Sequence, residues 1–184
     1  MQIRKTKIEG LIELIPDIYE DERGYFLETY HEEKFKSLGF QTPFVQVNQS
    51  FSKRGVLRGL HFQHAPHAQG KLVRVISGRV LDIIVDLRPE SASYGESKKI
   101  VLEGERSNMV YVPEGFAHGF LALEDTHFIY HCTNLYNRAS ESGIIWNDPE
   151  LNIDWELAKY DIEKPIVSEK DLVLPRFEEI KQQL

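Results

Sequence analysis

Short runs of β-branched and aromatic residues, each closed by turn chemistry, constrain this chain more than any other feature. Tyr25–Tyr30, Val45–Phe51, Val56–Phe62, Lys71–Ser77, Arg79–Asp86, Lys98–Leu102, Met109–Val112 and His127–Thr133 read as strands. Ser77-Gly78, Arg88-Pro89, Glu103-Gly104 and Glu124-Asp125 separate them. Many short strands with such punctuation fold into a sandwich, a barrel or a jelly roll. Helix is scarce. Glu32–Leu38 predicts a short helix stopped by Gly39, and Glu178–Gln183 another after Pro175. At 184 residues, with no repeat or low-complexity linker, the chain is expected to form one domain. Its last thirty or so residues, carrying Pro165 and Pro175, read as a tail wrapping the surface.

Side chains alternate faces along a strand. Lys71, Val73 and Val75 therefore share one face, and Leu81, Ile83 and Val85 share one face of the next strand. Arg58 and His61 are three apart, so a regular strand sends them to opposite faces. Gly59 between them marks a place for a bulge that re-aims one of the two; without it, Arg58 serves elsewhere.

Two segments carry more polar chemistry than apolar strands ordinarily hold. Gly55-Val56-Leu57-Arg58-Gly59-Leu60-His61-Phe62-Gln63, followed by Gln69-Gly70-Lys71, gathers an arginine, a histidine and a lysine. Pro113-Glu114-Gly115-Phe116-Ala117-His118-Gly119-Phe120 supplies a second histidine in matching context. Together they point to one pocket lined from two sides. The net charge of −7 argues against nucleic acid as partner while leaving room for an anionic small ligand held by local cations. No stretch approaches the roughly 18 to 20 apolar residues of a membrane span. The single cysteine, Cys132, suits a reducing, cytoplasmic setting.

At these motifs the chain resembles the dTDP-4-dehydrorhamnose 3,5-epimerase family. The matching pieces span nearly the whole chain, in order. They are Asp21-Glu22-Arg23-Gly24-Tyr25-Phe26 with Glu28, Gln46-Val47-Asn48-Gln49-Ser50, Gly55 to Gln63, and Gln69-Gly70-Lys71. Val85-Asp86-Leu87-Arg88, Pro113 to Phe120, Trp146-Asn147-Asp148-Pro149 and Ser168-Glu169-Lys170-Asp171 complete them. The resemblance implies a cupin-type jelly roll that inverts C3 and C5 of a nucleotide-linked 4-keto-6-deoxyglucose. Both carbons flank the C4 carbonyl, so enolate formation acidifies their protons. No redox cofactor is needed, and the chain has no dinucleotide Gly-x-Gly-x-x-Gly motif.

The family roles fall on residues of suitable chemistry. A base working near neutral pH favours histidine, and His61 matches it. Asp171 matches the carboxylate that orients that base. Lys71 matches the cation facing the enolate oxygen. Inversion needs a donor on the opposite face, and Tyr130 matches it. His118 matches a sugar contact. Arg58 and Arg23 match the diphosphate ligands, a task for forked guanidinium groups. Tyr136 matches the aromatic that stacks on thymine. Glu28, Gln46, Asn48, Glu141 and Lys170 match further substrate contacts. The family also borrows site residues from a partner subunit, implying a twofold homodimer with composite sites.

Plainer readings stand beside these. A lone histidine in an apolar strand is more often structural, and Asp171 equally fits a helical turn capped by Ser168. Asp148, Glu150, Asp154 and Glu156 read as a solvated face. His61, His64 and His67 invite a metal, yet Gln63 interrupts the His-x-His pair of metal-binding cupins and Ala122 stands where those carry asparagine. No metal is expected. The competing functions are an epimerase of C3 alone or C5 alone, a ketoisomerase, a metal-dependent cupin enzyme, and a silent nucleotide-sugar-binding module.

Overall fold

The structure, a computed structural model, describes residues 1–40 and 43–184. Its strands are Gln2–Lys5 (β1), Ile12–Ile15 (β2), Ile18–Asp21 (β3), Gly24–Leu27 (β4), Gln46–Ser52 (β5), Val56–Gln63 (β6) and Lys71–Ser77 (β7). They continue with Arg79–Asp86 (β8), Ser97–Glu103 (β9), Met109–Val112 (β10), Phe116–Ala122 (β11), Thr126–Cys132 (β12), Glu141–Gly143 (β13) and Ile166–Val167 (β14). Three short α-helices, Glu32–Ser37 (α1), Glu169–Leu172 (α2) and Phe177–Ile180 (α3), and one 3₁₀ turn, Ala158–Tyr160, complete the described residues.

One sheet runs β1-β2-β10-β7-β12-β5. The other runs β13-β6-β11-β8-β9, with β14 laid parallel along one end of β6. β3 and β4 form a separate hairpin. The two large sheets face one another as a jelly roll of the cupin kind. Val73, Val75, Val110, Val112 and Phe128 from the first meet Val80, Ile84, Leu102, Phe116 and Phe120 from the second. Burial of each such side chain is worth about 1.5 to 3 kcal/mol.

β8 is buried on both faces. Leu81, Ile83 and Val85 point away from the inter-sheet core, toward Trp155, Ile162, Phe177 and Ile180 of the C-terminal segment. That segment therefore seals the outer face of the second sheet. It is also tied by backbone bonds, Ile166 N–H donating to Gly55 O at 2.8 Å and Ile145 N–H to Pro175 O at 2.9 Å. The final helix sits at Phe177–Ile180 rather than Glu178–Gln183, because Phe177 and Ile180 are the anchors buried there.

β6 and β11 carry the bulge. His61 pairs with His118, but Arg58 pairs with Phe120, so β6 holds one extra residue between the two pairs. Glycine is required on both strands. A Cβ on Gly59 (φ +112°) would lie 2.6 Å from Gly119 Cα, and one on Gly119 would lie 2.6 Å from Arg58 O. The bulge cancels the odd spacing and puts Arg58 and His61 on the same pocket wall.

One acid departs from expectation. Asp148 is buried, not solvated. Its Oδ1 accepts the Glu150 and Leu151 N–H groups, and its Oδ2 accepts the Phe177 N–H at 3.0 Å. Three backbone donors replace water, and the carboxylate staples the last helix to the turn before it.

Candidate active site

Two adjoining hollows of about 310 and 260 Å³ open between the sheets, and His61, Lys71, Tyr130 and Glu141 line both. The second sheet supplies Arg58, His61 and His118; the first supplies Asn48, Lys71 and Tyr130. Register explains the convergence. Tyr130 lies opposite Asn48 on β5 and Val73 on β7, while Cys132 lies opposite Gln46 and Lys71, so two cross-strand rows face the same space. A larger hollow of about 400 Å³, lined by Tyr25, Ser77, Arg79, Glu103 and Glu124, contains no histidine. Its Arg79 is already paired with Glu124 at 3.2 Å and Glu103 at 3.9 Å.

His61 and Asp171 meet at 2.7 Å between Nε2 and Oδ1. Asp171 Oδ2 accepts the Gly59 N–H at 3.2 Å, and its own N–H donates to Ser168 Oγ at 3.1 Å. The helical cap and the histidine contact therefore coexist: Ser168 starts α2 so that its third residue reaches the pocket. Burial pushes the Asp171 carboxyl up, but His61 and the Gly59 N–H outweigh it and hold it below the ordinary carboxylate value. With Nε2 engaged, Nδ1 is the ring nitrogen left for proton transfer.

Lys71 stands across the hollow. Burial pushes its ammonium down, and the negative potential of Cys132, Asp82 and Glu141 opposes that. Burial also raises the Tyr130 phenol, with Cys132 acting in the same direction and Arg58 and Asn48 against it. A phenol shifted this way keeps its proton at neutral pH, as a donor requires. Arg58 is braced by Ser52 Oγ at 3.0 Å and Phe51 O at 3.2 Å.

At the mouth, Glu141 binds two residues. Lys170 Nζ lies 2.6 Å from Oε1, and the Tyr136 hydroxyl donates to Oε2 at 2.9 Å. Burial pushes the Glu141 carboxyl up, and these bonds bring it below its ordinary value. The Tyr136 backbone is held by Gln46, whose Oε1 accepts its N–H at 2.8 Å.

Arg23 and Glu28 do not join this group. Arg23 sits on the β3–β4 turn, highly exposed and paired with Asp21; Glu28 pairs with Lys34 at 2.7 Å. His64 packs edge-on to Phe62, and among the described residues no three His, Cys, Asp or Glu side chains gather as a metal site.

Asp82 was not anticipated. It is fully buried on β8, with Oδ1 2.7 Å from His118 Nε2 and Oδ2 without a hydrogen-bond partner. Burial pushes its carboxyl up, against the pull of His118 and Lys71. The signal in the sequence was a single acid inside Val80-Leu81-Asp82-Ile83-Ile84-Val85, where no strand spends a carboxylate without a partner.

The model of the dTDP-4-dehydrorhamnose 3,5-epimerase family matches residues 5–179. A dTDP-4-dehydrorhamnose 3,5-epimerase from Methanothermobacter thermautotrophicus is 51% identical, over 91% of this chain and 89% of its own. The crystal structure of a dTDP-4-dehydrorhamnose 3,5-epimerase from Elizabethkingia anophelis superposes with a TM-score of 0.90 at 45% identity, covering 97% of each chain. A dTDP-6-deoxy-D-glucose-3,5-epimerase from Legionella pneumophila, in complex with dTDP-4-keto-L-rhamnose, superposes at 0.93 and 40% identity, covering 99% of this chain and 95% of that one. Fold, pocket and relatives define a cupin-like jelly-roll isomerase of the nucleotide-sugar type. More particularly, the chain belongs to the dTDP-4-dehydrorhamnose 3,5-epimerase family.

Proposed function

We propose that this protein inverts C3 and C5 of dTDP-4-dehydro-6-deoxy-D-glucose, giving dTDP-4-dehydro-L-rhamnose. The observation that carries the reading is the His61–Asp171 contact at 2.7 Å in a pocket shared with Lys71 and Tyr130. His61 Nδ1 removes the proton from a carbon next to the C4 carbonyl. The electron pair moves onto the C4 oxygen, where the Lys71 ammonium balances the new charge. Tyr130 then delivers its phenolic proton to the opposite face, and the carbonyl re-forms with inverted carbon. Positioned acids and bases of this kind contribute roughly 10²- to 10⁴-fold each.

Arg58 meets the diphosphate, Tyr136 stacks on the thymine, and His118, Gln46, Asn48, Glu141 and Lys170 hold the sugar and nucleotide around them. This assignment rests on the family resemblance together with the position of these side chains in and around the pocket. Arg23 and Glu28 act from a second copy of the chain. Two observations support that. Their own pocket lacks them, and the hairpin that bears Arg23 exposes Tyr19, Tyr25 and Phe26, while the edge strand β5 and the residue before it expose Val45, Val47 and Phe51. Apolar surface on this scale beside an unpaired strand edge fits a twofold interface. The single domain, with its tail closing the site, and the buried thiol of Cys132 fit an enzyme of the reducing cytoplasm.

Proton NMR of the 4-keto sugar nucleotide with the protein in D₂O tests the reaction. Deuterium is expected at both C3 and C5, with inversion. Exchange at one carbon only makes the protein a single-site epimerase, and no exchange removes the epimerase reading. Sedimentation of the protein at micromolar concentration tests the dimer; a monomer throughout that range would leave Arg23 and Glu28 without a site.

A further inference from the structure

Gln63 stands where metal-binding cupins place the second histidine of their first motif, and its amide is occupied by the protein itself. Its Nε2 donates to His67 O at 2.6 Å and Leu135 O at 3.3 Å, and its Oε1 accepts the Asn137 N–H at 2.7 Å. A glutamine amide has two N–H donors, and both are spent, so Gln63 has none left for a ligand. The side chain is 7% exposed. Its three bonds join the turn after β6 to the loop between β12 and β13.

Other bonds reinforce the same junction. Gln69 Nε2 donates to Asn134 O at 2.8 Å, and Asn134 Nδ2 donates to Pro66 O at 3.2 Å. The segment held between them carries Tyr136. Its ring is half-exposed and tethered at the hydroxyl by Glu141, so the backbone beneath it sets the other end of its aim. That backbone is gripped from two sides, Tyr136 N–H by Gln46 and Asn137 N–H by Gln63.

We infer that Gln63 is a positioning residue: it fixes the Tyr136–Asn137 backbone so that the Tyr136 ring is already in place when the nucleotide base arrives. The inference rests on the reading of Tyr136 as the base-stacking residue. A loop ordered before binding loses less entropy on binding, so the pin acts on affinity and not on proton transfer. Gln63→Met keeps the length of the side chain and removes all three bonds. Gln63→Glu keeps one acceptor and turns two attractive contacts with carbonyls into repulsive ones.

The experiment is a double-mutant cycle read by dTDP titration calorimetry and steady-state kinetics. Gln63→Met is expected to weaken dTDP binding about tenfold and raise KM similarly, with kcat within about threefold. In a Tyr136→Ala background the same substitution should change dTDP affinity less than about twofold. An unchanged affinity, a loss confined to kcat, or an equal tenfold loss in the Tyr136→Ala background overturns the inference. A Tyr136→Ala single variant with normal dTDP affinity is a different result: it sinks the stacking reading, and this role for Gln63 with it. Amide hydrogen exchange supplies a check that needs no ligand. The Tyr136 and Asn137 amides of the free protein should be protected, and Gln63→Met should release Asn137. Rapid exchange at both in the wild-type protein overturns the pin even if the variants fail to fold.

Discussion

Two histidines on paired strands of one sheet each meet a carboxylate, His61 with Asp171 and His118 with Asp82, and both contacts span 2.7 Å. Their surroundings differ. Asp171 has a second donor, the Gly59 N–H, and is held below the ordinary carboxylate range. Asp82 has an unpartnered Oδ2, and burial pushes it above that range. The His61 side chain is about a third exposed at 32%, while His118 is at 9%. The difference teaches how one motif takes two jobs. A carboxylate whose lone pairs are satisfied stays ionised and can steer an accessible imidazole through a cycle of protonation. A carboxylate buried without a second donor is costly to ionise, and burial here outweighs the opposing pull of His118 and Lys71. On the proposed reading, the first pair exchanges protons and the second holds a fixed arrangement.

The sharpest way to break this contrast is His61→Asn. It should lower kcat by about 10³-fold and leave dTDP affinity within about threefold; near-normal turnover would end the base assignment. Asp171→Asn should follow, lowering kcat by up to a comparable factor, because it disturbs the tautomer and aim of His61 and the bond from the Gly59 N–H. Its folded carboxyl lies below the unfolded value, so the stability it contributes is present above the unfolded pKa near 4 and lost as pH falls. The variant's melting temperature should therefore depend less on pH below about 5 than the wild type's.

Asp86 extends the comparison to a carboxylate with a guanidinium partner. Burial alone pushes it up, yet bonds from Arg88, Ser91 and Ser93 carry it to about 2. It should contribute roughly 2 kcal/mol above pH 4, lost between about pH 4 and pH 2. Acid unfolding of Asp86→Asn followed by circular dichroism should lack that component; identical acid transitions would remove it. Smallest is Asp82→Asn, for which about a tenfold rise in KM is expected from a misplaced His118. Because the folded Asp82 carboxyl is raised, it costs stability as pH climbs past the unfolded value, so the variant should gain on wild type in melting temperature as pH rises above about 4. A loss equal to that of Asp171→Asn would make the two pairs functionally alike and break the contrast.

Much of this was legible in the chain. Lys71–Ser77, Arg79–Asp86 and Met109–Val112 are strands over the expected residues, because continuous β-branched runs have no competing period. Gly59 marked a place where a bulge could re-aim Arg58 or His61, and of the two alternatives the structure takes the bulge. β11, β13 and β14 were not among the expected strands, and β1, β2 and β3 escaped detection as well. The exposed, charged positions of these last three dilute the alternation, and their partners are supplied by the fold rather than by the local sequence. The buried acids Asp82 and Asp148 were missed for a related reason. A carboxylate is read as solvated unless its donors are known, and those donors are His118 and the backbone around Glu150, Leu151 and Phe177. The catalytic pairing of His61 with Asp171 came from family resemblance alone; nothing in either stretch points across 110 residues to the other.

That separation has a consequence for biosynthesis. Synthesis proceeds from the N-terminus, so both sheets, with Lys71, His118 and Tyr130, are complete by Cys132 apart from the short strands β13 and β14. Asp171 emerges much later. A nascent chain can thus build the walls of this pocket well before Asp171 arrives to meet His61.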